Sequence, residues 1–282
     1  MSKSRLIVNA DDLGLSPSVN TAILDVYRAG NLSSATLMVN MPGTVDAVDR
    51  VKEYPGLAIG LHFCLTEGTA LGGASMLTGP DGVFKDRPTL VKRTMNGQVT
   101  PADIRRELEL QLSRARELGV RITHVDSHQH VHMVPRIFQA MRPVLEAEGL
   151  PVRLVDPPAG AVLASWKRPK KALKQWLNGT FAARNRSSFS GRTNDALVSI
   201  HDLDFSGPYD AATYRDLLKP VRADQVVELM VHPYIVGNDV VALYPGTLEA
   251  KRPFLRRCVE EHAALTGAPL FEDHELIDYS RL

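Results

Sequence analysis

The sequence has few cysteines and almost no net charge, and each shortage excludes a class of protein. Its 282 residues include 2 cysteines, Cys64 and Cys258, which are too few for a disulfide framework and fit a reducing compartment. Lys and Arg total 33 against 32 Asp and Glu, for a formal net charge of +1. No overall electric field therefore favours nucleic acid or a membrane surface, and we expect no nucleic-acid partner.

Long apolar runs are also missing. No stretch approaches the roughly 18 consecutive apolar residues that span a bilayer. The first residues, MSKSRLIVNADD, place two carboxylates directly after a short apolar run, where an export signal would need a longer apolar core. We therefore expect a cytoplasmic protein with no stable membrane insertion.

Short apolar runs bounded by turn residues alternate with amphipathic patterns along the chain. The runs cover residues 6–8, 37–39, 57–63, 120–125, 152–155, 196–200 and 226–231. Helices are predicted over 19–27, 101–118 and 135–148, the first two behind the capping residues Ser16 and Thr100. This alternation predicts βα units and a parallel sheet. One α/β barrel occupies about 250 residues, so a single domain is expected over 1–282.

Two segments interrupt the alternation. Residues 66–99 are rich in Gly, Thr and Pro and predict a long loop inserted between a strand and the next helix. Residues 157–194 carry eight basic side chains and no acidic one. We interpret this basic segment either as a solvated helical face with a mobile loop, or as a cationic flap for an anionic substrate or partner.

Ionisable side chains recur where the predicted strands end. Asp11 and Asp12 follow the first strand, His62 lies near the end of the third, His128 follows the fourth and His232 follows the last. The C-terminal ends of parallel strands surround one mouth of an α/β fold, so these residues are expected to converge. Taken singly, the aspartates could cap the following helix and the histidines could be hydrogen-bonded boundary residues.

A histidine-rich stretch follows the fourth strand. Five ionisable residues alternate along it: His124, Asp126, His128, His130 and His132. In an extended chain all five would face the same side, which suggests a charge to neutralise there. The alternative is an exposed polar strand or a helix-entry loop. Three further histidines lie outside the pattern and are expected to be surface or boundary residues: His201, His262 and His274.

One carboxylate and two imidazoles with open positions form a familiar ligand set for a divalent metal. Asp12, His62 and His128 supply such a set. Asp11, one residue from a ligand, is placed to act as a general base toward the attacking water. His232 is placed to donate a proton to the leaving atom, and His130 and His132 are the alternatives for that role.

Four segments together resemble the YdjC-like (ChbG/HpnK) family of carbohydrate deacetylases. They are NADDLG at 9–14, SATLMVN at 34–40, GLHFCLT at 60–66 and HVDSHQHVH at 124–132. The resemblance is densest over 6–140, continues more loosely to His232, and is specific only as a combination. The chain lacks the H-[ST]-x-x-H pair of the larger polysaccharide deacetylase superfamily, so its two ligand histidines must come from separate strands, as they do in the family.

The resemblance implies a hydrolase with a distorted TIM-like (β/α) barrel that removes acetyl groups from N-acetylated sugars with one divalent metal ion. By position, Asp12, His62 and His128 match the metal ligands, Asp11 the base and His232 the family's late histidine. Mg or Zn is the expected ion, with Mn and Co as alternatives. Family members act on chito-oligosaccharides, on phosphorylated amino sugars or on a sugar-bearing lipid, and tend to form homodimers.

Two other functions fit the same residues. A metal-dependent phosphoesterase barrel would gather more histidines and two or three ions to clamp a phosphate. A non-catalytic metal-binding or sugar-binding barrel would have no need of Asp11 beside a ligand. The number of ions bound per chain and the role of Asp11 distinguish the three functions.

Overall fold

Parallel strands form the centre of the molecule. The computed structural model describes residues 4–203, 207, 209–219, 222 and 224–282. Its strands are β1 (Arg5–Leu13), β2 (Ser34–Leu37), β3 (Ala58–Phe63), β4 (Val125–Ser127), β5 (Ala196–Val198), β6 (Val226–Val231) and β7 (Glu275–Leu276). Within the described residues the strand order is β4-β3-β2-β1-β6-β5, and β7 pairs with the start of β1. These strand pairings are all parallel, which agrees with the predicted α/β class.

Residues 151–156, here called the closing segment, join the two edge strands of this sheet. Val152 forms single parallel bridges with Val125 of β4 and with Thr193, which precedes β5. On the β5 side, the backbone N–H of Leu197 donates to the carbonyl of Asp156 at 2.8 Å. The sheet therefore curls into a distorted barrel, as the sequence predicts.

The apolar run 152–155 is a bridge rather than the predicted strand. The Asn194 side chain takes the place of a neighbouring strand there, because its Oδ1 accepts from the backbone N–H of Leu154 at 2.7 Å and its Nδ2 donates to the Leu154 carbonyl at 3.0 Å. A side chain that satisfies the backbone in this way ends the regular ladder after one residue pair. The backbone pairing that joins the two sheet edges is correspondingly short.

Helices pack around the sheet and connect its strands. They are α1 (Pro17–Arg28), α2 (Thr44–Val51), α3 (Arg87–Met95), α4 (Pro101–Glu117), α5 (Pro135–Ala147), α6 (Ala161–Ala164), α7 (Pro169–Ser188), α8 (Ala211–Leu218), α9 (Asn238–Ala242) and α10 (Leu248–Leu265). The Ser16 hydroxyl caps α1, and Thr100 with Asp103 forms a capping box on α4. The helices predicted over 19–27, 101–118 and 135–148 are confirmed. No helix among the described residues has the length and apolar content needed to cross a membrane.

The prediction of a long loop over 66–99 is wrong in part. The segment contains α3, which Asp86 caps, and isolated antiparallel bridges join Thr69 to Val83 and Thr78 to Phe84. Only Leu90 and Thr94 of α3 are buried, so the helix carries too little apolar periodicity to be recognised in the sequence.

The fourth strand is shorter and later than predicted. It covers Val125–Ser127 instead of 120–125, and a 3₁₀ turn over His128–Met133 follows it at once. Gln129 and His130 adopt positive φ angles of +54° and +53° in this turn. The chain therefore leaves the extended conformation at His128, and the expected alternation of five ionisable side chains along one face does not occur.

Candidate metal and catalytic site

The ends of β1, β3 and β6 and the turn after β4 converge on one cavity of about 370 Å³. Asp11 and Asp12 lie on β1, His62 on β3, His128 directly after β4 and His232 directly after β6. All five line the cavity. The structure thus brings together the five residues that the sequence assigned as ligands, base and acid.

Asp11 and Asp12 are neighbours on β1, yet both line the cavity. Adjacent side chains of a regular strand point to opposite faces of the sheet. The pairing of β1 with β2 shifts register within 10–13, and Asp12 has a φ of +67°. A bulge re-aims side chains in this way, at a cost of about 1–3 kcal/mol for the strained backbone. The other non-glycine residues with positive φ in the described chain, Gln129 and His130, also line the cavity.

Asp12, His62 and His128 form a tight group. The Oδ1 atom of Asp12 lies 3.2 Å from His62 Nε2 and 3.0 Å from His128 Nδ1. The hydroxyl of Tyr234 donates a hydrogen bond to Asp12 Oδ2 at 2.5 Å. Asp12 and His62 are buried, whereas the His128 side chain is 13% exposed toward the cavity. The three side chains place potential ligand atoms within 4.8 Å of one another, which suits a single small cation.

The surroundings of His62 and His128 also fit a metal ion. His62 Nδ1 lies 2.8 Å from Asp126 Oδ1 and 3.1 Å from Thr36 Oγ1, which leaves Nε2 directed at Asp12. A carboxylate behind the ring is the usual support of a metal-ligating histidine. His128 Nε2 is buried and has no hydrogen-bond partner among the described residues. An ion at this site would complete the coordination of donor atoms that the protein leaves unsatisfied.

Arg153 of the closing segment holds Asp11. Its Nη1 donates to Asp11 Oδ2 at 2.7 Å and its Nη2 donates to Asp11 Oδ1 at 2.6 Å. Asn9 adds a third donor, Nδ2, at 3.0 Å from Asp11 Oδ1. Burial alone would raise the pKa of the Asp11 carboxyl, but the guanidinium more than offsets it and holds that pKa well below its usual range. Asp11 is therefore ionised and fixed in orientation.

The same guanidinium serves two further buried carboxylates. Arg153 Nη1 lies 2.6 Å from Asp126 Oδ2, and Nε donates to Glu228 Oε1 at 2.8 Å. The hydroxyl of Tyr279 donates to the other oxygen of Glu228. Burial raises the pKa of the Glu228 carboxyl above its usual range. Asp11, Asp12 and Asp126, whose pKa values are all held below the usual range by nearby positive charge in spite of their burial, outnumber this guanidinium. The excess negative charge is a second reason why the site suits a divalent cation.

His232 lies beside Asp11 in the cavity wall. Its Nε2 is 3.7 Å from Asp11 Oδ2, and its Nδ1 is buried without a hydrogen-bond partner among the described residues. The backbone N–H of His232 donates to Glu261 Oε2 at 2.6 Å, which fixes the end of β6. Burial lowers the pKa of the His232 imidazole below its ordinary value, although Asp11 partly offsets this effect.

The remaining histidines of the histidine-rich stretch occupy different places. The His124 ring stacks on Tyr279 at a centroid distance of 4.2 Å. His132 is fully buried, with Nε2 2.9 Å from the Arg153 carbonyl oxygen. His130 lines the cavity, and its Nδ1 has no hydrogen-bond partner in the described structure. His130 is therefore within reach of a cavity ligand, whereas His132 is engaged in holding the closing segment.

Sequence reasoning missed several residues of the site. Arg153 and Glu228 lie inside apolar runs that were interpreted only as buried strands. A single charged residue in each of two buried runs was a usable signal, because buried charges occur in pairs. His201 was expected to be a surface or boundary residue, but its ring lies in the cavity wall, 4.9 Å from the His232 ring. Tyr234 and Thr36 gave no distinctive signal.

A family model described as YdjC-like protein matches residues 5–273. The chain belongs to the YdjC-like family. A carbohydrate deacetylase from Brevibacillus brevis is 41% identical over 242 residues, which cover 84% of each chain. A chitooligosaccharide deacetylase from Serratia marcescens is 43% identical over 150 residues, or 53% of this chain and 58% of that protein. A carbohydrate deacetylase from Geobacillus stearothermophilus is 41% identical over 149 residues, or 53% of this chain and 59% of that protein.

The match to the last two relatives thus spans less than two thirds of their length. A crystal structure from Enterococcus faecalis V583, of a protein provisionally described as a cellobiose-phosphate cleavage protein, resembles this YdjC-like chain along its whole length. The TM-score is 0.77 at 20% identity, with 99% of each chain covered. This likeness shows that the two proteins share the curled parallel sheet and its surrounding helices.

Proposed function

We propose that this YdjC-like protein is a metal-dependent carbohydrate deacetylase, a hydrolase that cleaves the amide bond of an N-acetylated sugar to give acetate and a free amine. The observation that carries the proposal is the position of Asp11. This ionised carboxylate is fixed by Arg153 and lies next to the group of Asp12, His62 and His128. The relatives named carbohydrate and chitooligosaccharide deacetylases support the same activity.

Asp12, His62 and His128 would hold one divalent ion. Their two imidazoles and one carboxylate suit Zn, Mn or Co, and the carboxylate with open positions for water also admits Mg. When bound, such an ion supplies Lewis acidity that polarises the acetamido carbonyl and lowers the pKa of water.

The remaining chemistry belongs to Asp11 and His232. Asp11 accepts a proton from the attacking water, because its carboxylate lines the cavity and Arg153 holds it in one orientation. His232 donates a proton to the departing amine nitrogen. Because burial lowers the pKa of His232, its imidazole is neutral before the reaction and is free to receive the proton from Asp11, whose Oδ2 is 3.7 Å away.

The cavity lining suits a sugar that carries an anionic group. Phe254 and Tyr244 offer aromatic surface for the apolar face of a sugar ring, and Lys251 lines the same cavity, as does Lys174, which pairs with Asp202 at 3.0 Å. The substrate class that we propose is a chito-oligosaccharide or a phosphorylated or lipid-linked amino sugar. A cytoplasmic location and a homodimer stay predictions.

Acetate release provides the test. The protein is stripped of metal and assayed with diacetylchitobiose and its phosphorylated form, before and after single divalent ions are added back. Metal-dependent acetate release is the expected result. Asp11→Asn should bind the ion with unchanged stoichiometry and lose most turnover, whereas His128→Ala should lose the ion. Asp49→Asn, at a side chain that is 65% exposed on α2, is the matched control and should keep both properties.

Each alternative has its own outcome. An Asp11→Asn variant with full turnover would remove Asp11 from the role of base. Two or three ions per chain together with turnover of phosphate esters would favour a phosphoesterase. Binding of ion and sugar with no turnover under any ion would favour a non-catalytic barrel.

A further inference from the structure

Residues 162–177 expose several large apolar side chains. Both tryptophans of the chain are among them, with Trp166 70% exposed and Trp176 55% exposed. Leu163 is 75% exposed and Leu173 is 55% exposed. Tryptophan offers the largest apolar surface of any side chain, so leaving both uncovered points to a surface that binds something. We call this surface the α7 face and define it by six exposed side chains: Val162, Leu163, Trp166, Leu173, Trp176 and Leu177.

Four members of the α7 face are neighbours in space. Leu173, Trp176 and Leu177 follow the i, i+3, i+4 spacing of one side of a helix. The opposite side of α7, which includes Ala182, is buried. Val162 of α6 lines a shared groove with Trp176, so the short helix extends the same apolar stripe.

Basic side chains lie beside this stripe, and two of those in 157–194 are ion-paired, Lys174 with Asp202 at 3.0 Å and Arg186 with Asp156 at 2.7 Å. Residues 157–194 carry eight basic side chains and no acidic one. The Nζ atom of Lys167 lies 5.3 Å from the centre of the Trp166 ring, and Lys170 is exposed on α7. Lysine stems can lie along an apolar surface while their ammonium groups extend to its edge. The face therefore combines an apolar centre with a cationic border.

We propose that the α7 face binds peripherally to an anionic lipid surface. Exposed tryptophan and leucine beside lysine and arginine is the composition of segments that lie in the plane of the membrane interface. The basic border complements negatively charged headgroups. A second copy of this chain is a poorer occupant, because its α7 face would present the same positive charge. The proposal concerns where the protein binds, and it stands independently of the proposed deacetylase activity.

Tryptophan fluorescence measures this binding directly, because both tryptophans belong to the α7 face. The full chain is titrated with phosphatidylcholine vesicles and with vesicles that also contain phosphatidylglycerol, and cosedimentation is measured in parallel. We expect a blue shift and cosedimentation with the anionic vesicles, both weakened by added salt. Vesicles of phosphatidylcholine alone should produce neither.

Two double variants separate the α7 face from general surface properties. Leu163→Ser with Lys170→Glu removes one exposed apolar side chain and reverses one charge of the face, and should weaken vesicle binding by at least about tenfold. Val45→Ser with Lys52→Glu makes the same two changes around α2, where Val45 is 57% exposed, and should bind as the unchanged protein does. Circular dichroism checks that both variants are folded.

Three results would overturn the proposal. The first is the absence of any shift or cosedimentation with anionic vesicles, and the second is equal loss of binding in both double variants. The third is a concentration-dependent increase in molar mass without vesicles that Leu163→Ser with Lys170→Glu abolishes, because this would assign the α7 face to a second copy of the chain.

Discussion

Replacement of Arg153 by methionine should destabilise this protein far more than the loss of an exposed arginine. Arg153 is fully buried and contacts three buried carboxylates, those of Asp11, Asp126 and Glu228. Methionine fills part of the same volume but supplies no charge and no donor. The three carboxylates would then share a low-dielectric interior without a guanidinium.

The size of the effect follows from burial. Removal of one partner from a buried ion pair costs about 3–5 kcal/mol, because the other partner stays charged and desolvated. Total stabilities of domains are about 5–15 kcal/mol, so the variant should be close to unfolding. The exposed pair of Arg116 and Glu148, at 2.6 Å with Arg116 55% exposed, offers the matched comparison. Such a surface pair contributes at most about 1 kcal/mol, so Arg116→Met should be nearly neutral.

The stability lost in Arg153→Met should be smaller at acidic pH. Burial raises the pKa of Asp11 and of Asp126, but Arg153 more than offsets this and holds both below their usual range. Their contribution to wild-type stability is therefore present above the unfolded pKa of about 3.9 and is lost only as the pH falls below it. Without Arg153, burial is opposed mainly by His62, so the pKa values of Asp11 and Asp126 rise and the carboxyls take up protons at higher pH. The penalty should thus decrease between about pH 7 and about pH 5.

Urea unfolding monitored by circular dichroism, with a chelator present to remove bound ions, measures these free energies. Wild type, Arg153→Met and Arg116→Met are compared at about pH 7 and about pH 5. The contrary result would be that Arg153→Met costs no more than Arg116→Met, or that its cost grows on acidification. Either result would mean that Arg153 does not hold the surrounding carboxylates in their charged form.

Two further predictions follow from single contacts. Tyr234→Phe removes the donor to Asp12 Oδ2 and should weaken divalent-ion affinity about 10–100-fold without unfolding the protein. A calorimetric titration measures this affinity, and an unchanged value would show that the hydrogen bond does not orient Asp12. Cys64 and Cys258 are both fully buried, so a thiol reagent such as dithiobisnitrobenzoate should label neither in the native protein and both in guanidinium chloride. Rapid labelling of either native thiol would contradict the described packing.

The fold was largely predictable because its signals are local. The apolar runs at 57–63 and 226–231 coincide with β3 and β6, and the capping residues Ser16 and Thr100 mark the starts of α1 and α4. Errors arose where a tertiary contact replaced local preference. The Asn194 side chain ends the ladder at the closing segment, and two residues of β7 are too few to leave an apolar run.

The residues that form the site were predictable from the sequence, but the contacts between their side chains were not. Strand ends place Asp12, His62 and His128 around one mouth without any knowledge of side-chain contacts. The bulge that turns both Asp11 and Asp12 toward the cavity depends on the register between β1 and β2, which no single segment encodes. The guanidinium that fixes Asp11 comes from the opposite side of the barrel, 142 residues later in the chain.

Because Val152 forms only single bridges, the part of the site that contains Arg153 has less backbone pairing than the part that contains Asp12 and His62. Asp12 and His62 lie on strands that are joined through β2 by three and four residue pairs, whereas Arg153 comes from the closing segment, where Val152 forms only single bridges. Local opening begins where backbone pairing is shortest. A barrel that opens at this bridge would release the orientation of Asp11, while Asp12 and His62 stay on their paired strands. Under the proposed function, mild denaturation should therefore abolish turnover before it abolishes binding of the ion.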